Sequence, residues 1–398
     1  MRLLKDKLLL TKYDGCILSA RRSGNEIIEL SFEPEKEQTI VGNVYVARVE
    51  NVVKNIGAVF VSYDKGEIAY LPLEEATFGK LNKDNTPVHQ GELLLIEIAS
   101  EAIKTKPPKA TTYINCTGRY SVLTMGKPGL GISSKIIDAN LRNLYKDEFT
   151  KYLTDEYGII IRTSAESVSF EEIRKEIEQL IKDYESIIKY ADTRSAHTIL
   201  RKDEKSYLKA LRNIDFNEIS QIVTDDTLIY KDVLEYIERY DSSMKDKLVL
   251  MNEETDSVLK IYGLESKIKQ ALSSTVWLKC GGYLVIQPTE ALTVIDVNSG
   301  KCISKKKSIK DTVRKVNFEA CEMIAKQLRL RNLSGIIIVD FIDMDDEDMR
   351  KELLDELKKC IEPDPVKTVV VDITKLNLVE ITRKKIRKPI YEQRLQKG

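Results

Sequence analysis

Histidine and paired cysteines are scarce in this chain of 398 residues, which has two histidines and six cysteines. No two cysteines form a CxxC motif, so a zinc site and a disulfide framework are not expected. The sequence also lacks a run of about 18 apolar residues, the length that a membrane-spanning helix needs. Its first residues are charged every few positions and contain no signal-peptide core. We therefore expect buried, reduced thiols in a cytoplasmic protein.

Net charge gives no guide to a partner, because Lys+Arg and Asp+Glu both total 63. Any nucleic-acid binding must therefore use local basic patches on a neutral body. The length and the 42% hydrophobic content predict two or three domains, each large enough to bury its own core.

Strand-like segments dominate the first third of the chain. Two alternating segments flank a Ser-Gly-Asn turn within residues 14–32, a pattern that predicts a β-hairpin. Residues 36–125 contain further short strands at intervals typical of a small barrel. Ser169 and Glu172 then have capping-box spacing, and the apolar residues after them recur with a period of 3.6. A long amphipathic helix is expected there.

Two aspartates stand at the ends of apolar strands in the last third of the chain. LTVIDVNSGK at 292–301 contains Asp296, and GIIIVDFIDM at 335–344 contains Asp340. A helix predicted around 309–330 joins the two strands into a βαβ unit. If the strands are parallel neighbours, both carboxylates emerge at the same edge of the sheet, where α/β proteins place their chemistry.

This pair of carboxylates is sufficient to hold a magnesium ion against a phosphate, because Mg²⁺ keeps several water ligands. Asn298 lies on the same side of its strand as Asp296, since side chains alternate with a period of two. The alternative is that both aspartates only cap turns at strand ends, where aspartate is common. The pattern alone does not choose between the two interpretations.

Several segments of the chain, taken together with these two aspartate motifs, resemble the catalytic half of the ribonuclease E/G family of bacterial endoribonucleases. The matching segments follow the family's order from about residue 41 to 385 and are VGNVYVARVENVV, GEIAYLPL, GRYSVL, GIIIRTSAE, EALTVIDVNSGK, GIIIVDFIDM and LVEITRKK. The combination of EALTVIDVNSGK with DFIDM is the most specific of these features.

The resemblance implies a multi-domain α/β fold with an inserted all-β OB-fold barrel. The implied domains are a ribonuclease-H-like N-terminal part (1–35), an OB-fold RNA-binding domain (36–125), a 5′-sensor region with a helical segment (126–214), a second ribonuclease-H-like part (215–275) and a deoxyribonuclease-I-like catalytic domain with a basic tail (276–398).

The resemblance also implies the reaction. Asp296 and Asp340 correspond to the two aspartates that bind the catalytic magnesium in the family, and Asn298 corresponds to an asparagine that supports them. Water attacks a phosphodiester of single-stranded RNA and leaves a 5′-phosphate and a 3′-hydroxyl. The implied role is RNA processing and decay, including ribosomal RNA processing.

Two further sets of residues match RNA-contacting positions of the family. Phe60 and Tyr70 match aromatic positions on the barrel, and Lys106 matches a basic position beside them. Aromatic faces suit base stacking, but the same rings can instead fill the barrel. Lys104 and Lys109 enlarge the basic patch, or belong with Lys106 to an ordinary loop.

The second set matches a pocket that recognises a 5′-monophosphate and consists of Gly118, Val122, Arg162 and Thr163. An arginine fork and a hydroxyl suit a terminal phosphate, and the glycine allows close approach of the backbone. From the sequence alone, Arg162 is equally well explained as a salt-bridge partner.

The chain departs from the family pattern in two places. The family has a CxxC motif soon after its TRKK segment, where two protomers share one zinc ion, whereas ITRKKIRKPIYEQRLQKG has no cysteine. We therefore expect no zinc, and a monomer or a weak homodimer. Ser134 also stands where a basic residue is typical, with Lys135 beside it. The basic tail from Arg383 to Lys388 is either an RNA contact or a solvated helix face.

Two other functions compete with a ribonuclease. A non-catalytic RNA-binding protein with the family fold has no need of a paired-carboxylate site, so Asp296, Asn298 and Asp340 argue against it. An enzyme for another phosphodiester, such as DNA, remains open, because attack by external water does not require the 2′-hydroxyl.

Overall fold

The computed structural model describes residues 5–35, 40–81, 86–102, 106–212, 214, 216, 218–240, 242–252, 257–302, 309–344 and 346–395. Lys104, one of the lysines in the expected basic patch, lies outside these residues. Within them, no helix has the length and apolar character that crossing a membrane requires.

The chain divides by its internal contacts into two units. The first comprises Met1–Lys36, Phe216–Ile237 and Ser243–Gly398, and the second comprises Glu37–Asp215 and Glu238–Ser242. In sequence, most of the second unit is therefore an insertion between two parts of the first.

The strands, in chain order, are β1 Asp6–Tyr13, β2 Cys16–Ser23, β3 Glu26–Pro34, β4 Val44–Val53, β5 Ala58–Asp64, β6 Glu67–Pro72, β7 Leu93–Ser100, β8 Lys109–Thr111, β9 Asn115–Thr117, β10 Ser121–Met125, β11 Gly129–Ile132, β12 Tyr157–Ile161, β13 Thr198–Arg201, β14 Ile219–Thr224, β15 Leu248–Leu250, β16 Thr275–Trp277, β17 Tyr283–Pro288, β18 Leu292–Asn298, β19 Gly335–Asp340, β20 Thr368–Ile373 and β21 Leu378–Arg383. The α-helices are α1 Leu73–Ala76, α2 Ala139–Phe149, α3 Phe170–Ala191, α4 Ser206–Arg212, α5 Thr227–Tyr240, α6 Val258–Ile261, α7 Leu264–Leu272, α8 Ile309–Leu330, α9 Glu347–Ile361 and α10 Ile390–Leu395.

The first unit contains a sheet in the order β15-β14-β1-β2-β3, in which β1 is parallel to β14 and antiparallel to β2. The predicted hairpin is confirmed, because β2 and β3 pair antiparallel around the turn at Gly24, whose φ is +54°. The buried side chains of this sheet, such as Leu9, Leu18 and Val223, pack with Leu264 of α7.

The second sheet of the same unit has the order β16-β17-β18-β19-β21-β20. Strands β18 and β19 are parallel neighbours, and α8 lies between them in sequence. The predicted βαβ unit is therefore confirmed. Ile295 of β18 and Ile337 of β19 share one buried cluster with Ile324 of α8 and Leu353 of α9, so the two helices cover one face of the sheet.

The second unit contains a closed β-barrel, as the strand spacing predicted. Strand β4 pairs antiparallel with both β5 and β7, which closes the order β4-β5-β6-β8-β7, and β13 adds to β4. Alternate residues of β5 and β6 fill the interior, among them Val59, Val61, Ala69 and Leu71. The chain is therefore a mixed α/β protein that contains a closed barrel.

A smaller sheet, β11-β12-β10-β9, also belongs to the second unit, where α3 packs on it. The capping box at the start of α3 is confirmed, because Ser169 and Glu172 each accept from the other's backbone N–H. The predicted apolar stripe is the buried face of this helix, which includes Ile173, Ile177 and Leu180. Glu176 lies on that same face.

Candidate active site

The two aspartates lie side by side at one edge of the second sheet. Strand β18 alternates strictly, with Thr293, Ile295 and Val297 buried, so Asp296 points to the opposite face. The Cα of Asp296 is the direct register partner of the Cα of Asp340 across the parallel β18–β19 pair. In-register neighbours present their side chains on the same face, so the two carboxylates are adjacent.

The amide of Asn298 completes this group, as the period of two predicted. Its Nδ2 donates to Oδ2 of Asp296 at 2.7 Å, which fixes the orientation of that carboxylate. The neighbours of Asp340 act differently. Although Asp340 is an exposed residue, partial desolvation raises the pKa of its carboxyl above the ordinary value, and the negative charges of Asp296 and Asp343 raise it further. All three influences are ones that a bound cation would offset.

The donor set fits a hard cation that keeps most of its water ligands. Carboxylate oxygens are the preferred ligands of such ions, and two carboxylates are enough when water and a phosphate supply the rest. Among the described residues, no group of three or more His, Cys, Asp or Glu side chains is arranged to hold a metal ion. Asp296 and Asp340 form a pair of adjacent carboxylates, with the amide of Asn298 hydrogen-bonded to Asp296.

The segment that follows Asp340 is held by a residue that the sequence analysis missed. Asn317, on α8, is fully buried and forms two hydrogen bonds with the backbone of Ile342. Its Nδ2 donates to the Ile342 carbonyl at 2.8 Å, and its Oδ1 accepts from the Ile342 N–H at 3.1 Å. The available signal was an amide on the buried face of an amphipathic helix, a face that also carries Gln327.

The barrel aromatics lie on its outer face. Because the interior positions of β5 and β6 belong to Val59, Val61 and their counterparts, the alternate residues Phe60 and Tyr70 face the other way. Their ring centroids are 6.4 Å apart with an interplanar angle of 68°. The interpretation that these rings fill the barrel is therefore wrong, and both are half-buried.

Lys106 is exposed and close in sequence to the segment beside Tyr70. The Tyr70 N–H donates to the carbonyl of Pro108 at 2.8 Å, and the next residue, Lys109, is the register partner of Tyr70. The segment from Lys106 to Lys109 therefore lies beside Tyr70 and carries two lysines.

The structure brings Gly118 and Arg162 of the proposed pocket together. Nη1 of Arg162 donates to the Gly118 carbonyl at 2.7 Å. Thr163 follows Arg162, and its hydroxyl lies 2.9 Å from the hydroxyl of Ser133. Val122 is on β10, where it pairs with both β9 and β12. This contact of Arg162 is a hydrogen bond to a backbone carbonyl.

Two other sequence features have clear positions. Ser134 and Lys135 are both exposed in the turn after β11. The basic tail does not form one surface, because Arg383 is buried in β21 and paired with Asp364, with its Nε 2.7 Å from Oδ2. For Arg383, both the RNA contact and the solvated helix face are therefore wrong, since a strand residue saturated by a buried carboxylate serves neither.

A model of the ribonuclease E/G family matches residues 116–386 of the chain. Ribonuclease G of Escherichia coli strain K12 is 33% identical over 379 residues, which cover 92% of this chain and 77% of that protein. Ribonuclease E of a Synechocystis strain is 33% identical over 377 residues, 92% of this chain and 55% of its own length. Ribonuclease G of Haemophilus influenzae is 30% identical over 375 residues, 91% of this chain and 76% of its own.

Proposed function

This chain belongs to the ribonuclease E/G family, and on that premise we propose that it is a magnesium-dependent endoribonuclease acting on single-stranded RNA in RNA processing and decay. One observation carries the proposal furthest. Asp296 and Asp340 are in-register neighbours near the C-terminal ends of the parallel strands β18 and β19, and the amide of Asn298 donates a hydrogen bond to Asp296.

The three side chains at this end of the sheet have different roles. Asp296 and Asp340 would hold the ion, and Asn298 keeps the Asp296 carboxylate in one orientation. When bound, a magnesium ion activates water and stabilises negative charge on a phosphodiester. Attack by water from outside the RNA leaves a 5′-phosphate and a 3′-hydroxyl. Asn317 keeps the segment after Asp340 in place through the backbone of Ile342.

The described topology supports the multi-domain composition that we propose. Strands β1–β3 join β14 and β15 in one sheet, which agrees with a ribonuclease-H-like part split by the insertion. The closed barrel has five strands in its ring, as an OB fold does. The sheet from β16 to β21, with α8 and α9, is then the deoxyribonuclease-I-like catalytic domain.

We also propose that the second unit binds the RNA. Phe60 and Tyr70 provide a stacking surface on the barrel, and Lys106 adds positive charge nearby. Gly118, Val122, Arg162 and Thr163 form the pocket for a 5′-monophosphate. The contact between Arg162 and Gly118 supports this assignment, because it joins two members of the set.

The experiment that tests the function is cleavage of an AU-rich single-stranded RNA with a 5′-monophosphate. Cleavage is expected with magnesium and should stop when magnesium is removed. The products should carry 5′-phosphate and 3′-hydroxyl ends. A matched RNA with 2′-deoxy substitutions around the scissile bond tests the nucleophile, because attack by water does not need the 2′-hydroxyl and cleavage should persist. A single-stranded DNA of the same sequence tests the competing phosphodiester. Cleavage without a divalent ion would refute the proposed chemistry.

A further inference from the structure

A buried carboxylate underlies the turn that carries Gly118. Glu176 of α3 is only 8% exposed. Its Oε2 accepts from the Arg119 N–H at 2.6 Å, and its Oε1 accepts from the Tyr120 N–H at 2.9 Å. The Ser121 N–H and the Ser121 hydroxyl each donate to the same Oε1 at 2.8 Å. Three consecutive backbone amides and one hydroxyl thus converge on one side chain.

The other side of the same turn holds Arg162. Its Nη1 donates to the Gly118 carbonyl, and its backbone N–H donates to the Tyr120 carbonyl, both at 2.7 Å. The hydroxyl of Ser164 donates to the Arg119 carbonyl. The turn therefore presents its amides to Glu176 and its carbonyls to the segment that begins with Arg162. A change in the turn must move the carbonyl that orients the Arg162 guanidinium.

Gly118 fits this arrangement for a specific reason. A Cβ added at this position would overlap the carboxylate group of Glu176. The absence of a side chain at Gly118 is therefore required by the buried carboxylate, independently of any ligand. The amides of residues 119–121 are also occupied by Glu176, so in the proposed pocket the side chains of Arg162 and Thr163, and not these amides, supply the contacts to the phosphate.

We propose that Glu176 is a positioning residue for the 5′-monophosphate pocket, which locks the 118–121 turn and thereby the guanidinium of Arg162. The inference rests on the proposed function of that pocket. In this role Glu176 does not touch the RNA. It sets the specificity of the enzyme for the 5′ end through the turn, and its location on the core face of α3 explains how the helix and the pocket are coupled.

The test compares the wild-type enzyme with Glu176→Gln on two RNAs that differ only in a 5′-monophosphate or a 5′-hydroxyl. Glutamine has nearly the same shape, but it replaces one acceptor by a donor that faces backbone N–H groups. The ratio of kcat/KM for the two RNAs should fall by roughly tenfold, mainly through a higher KM for the monophosphorylated RNA. The rate on the 5′-hydroxyl RNA should change much less. Glu178→Gln is the matched control, since Glu178 is exposed on the same helix.

Arg162→Ala separates this inference from the proposed function. If Arg162→Ala lowers the ratio and Glu176→Gln does not, the positioning role is wrong while the pocket stands. If Arg162→Ala leaves the ratio at its wild-type value, the pocket itself is misassigned. Thermal melts establish that each variant is folded. Should Glu176→Gln fail to fold, Ser121→Ala decides, because it removes a single donor to Glu176. A smaller fall in the ratio supports the inference, and an unchanged ratio overturns it.

Discussion

Desolvation raises the carboxyl pKa of both Asp340 in the first unit and Glu176 in the second, yet Asp340 is exposed, Glu176 is buried, and their neighbours act in opposite directions. The other influences on Asp340 are the negative charges of Asp296 and Asp343, which raise its pKa further. The other influences on Glu176 are four hydrogen bonds, which act to lower its pKa. A raised pKa therefore does not by itself mark a ligand site. A carboxylate beside like charges favours a cation, whereas one saturated by donors organises the backbone around it.

The same contrast extends to the two units as proposed. The edge of the catalytic sheet gathers acidic groups that act on the reacting phosphate, so its variants should lower kcat. The barrel and the pocket gather aromatic and basic groups that act on the rest of the RNA, so their variants should change affinity or specificity. A variant of the catalytic sheet that changed mainly RNA affinity, or a variant of the barrel that changed mainly kcat, would contradict this assignment of roles to the two units.

The largest effect is expected for Asp296 and Asp340, the two residues proposed to hold the metal ion. Asp296→Asn and Asp340→Asn should each reduce cleavage by about 10³-fold or more, because the charge stabilisation supplied by an ion is worth several kcal/mol. RNA affinity should change little, since neutralisation of phosphates by Lys and Arg carries most of it. Single-turnover cleavage and fluorescence anisotropy measure the two quantities. Asp355→Asn, an exposed aspartate on α9, is the control. Near-normal cleavage by both variants would rule out the assignment.

A smaller effect, on affinity alone, is expected at the barrel. Replacing Phe60 and Tyr70 together by alanine should weaken binding of single-stranded RNA by roughly 10- to 100-fold, because stacking is worth about 1–3 kcal/mol per base. The melting temperature should stay nearly constant, since both rings lie outside the barrel interior. Ile68→Ala is the control, an exposed aliphatic residue two positions before Tyr70 on the same strand. A large loss of stability in the double variant would show instead that the rings pack with the core.

These two regions also differ in how much of them the sequence could predict. The adjacency of Asp296 and Asp340 follows from local rules, because the period of two and the βαβ connection bring both to one edge. Asn317 and Glu176 could not be found in this way. Their partners are 25 and up to 57 residues away, and nothing in the local pattern names them. The prediction for Arg383 is wrong for the same reason, since its ion pair with Asp364, 19 residues earlier in the chain, removes it from the basic surface.

Replacing Asn317 tests whether cleavage depends on the hydrogen bonds that hold the segment after Asp340 in place. Asn317→Ala leaves the N–H and carbonyl of Ile342 without their partner, which should cost about 1–3 kcal/mol of unfolding free energy. Cleavage should fall by roughly five- to tenfold, because the segment after Asp340 is no longer held. Chemical denaturation and cleavage assays measure the two effects, with Lys315→Ala on the exposed side of α8 as the control. Unchanged cleavage alongside lower stability would limit Asn317 to a role in the core.

The smallest effect is expected at Lys106, which is exposed and lies just before strand β8. Lys106→Ala should weaken RNA binding by a few-fold at low salt and reduce the slope of log affinity against log salt by roughly 1. The loss should disappear at high salt, because a charge without a formed pocket acts only by neutralising phosphate. Lys175→Ala, another exposed lysine of the second unit, is the control for general charge. Arg162→Ala should behave differently, with a loss of 5′-end preference that persists in salt, because its guanidinium is held by the Gly118 carbonyl. A loss at Lys106 that did not depend on salt would mean that Lys106 also belongs to a formed binding pocket. Lys106 and Arg162 would then not differ in the way they contact RNA.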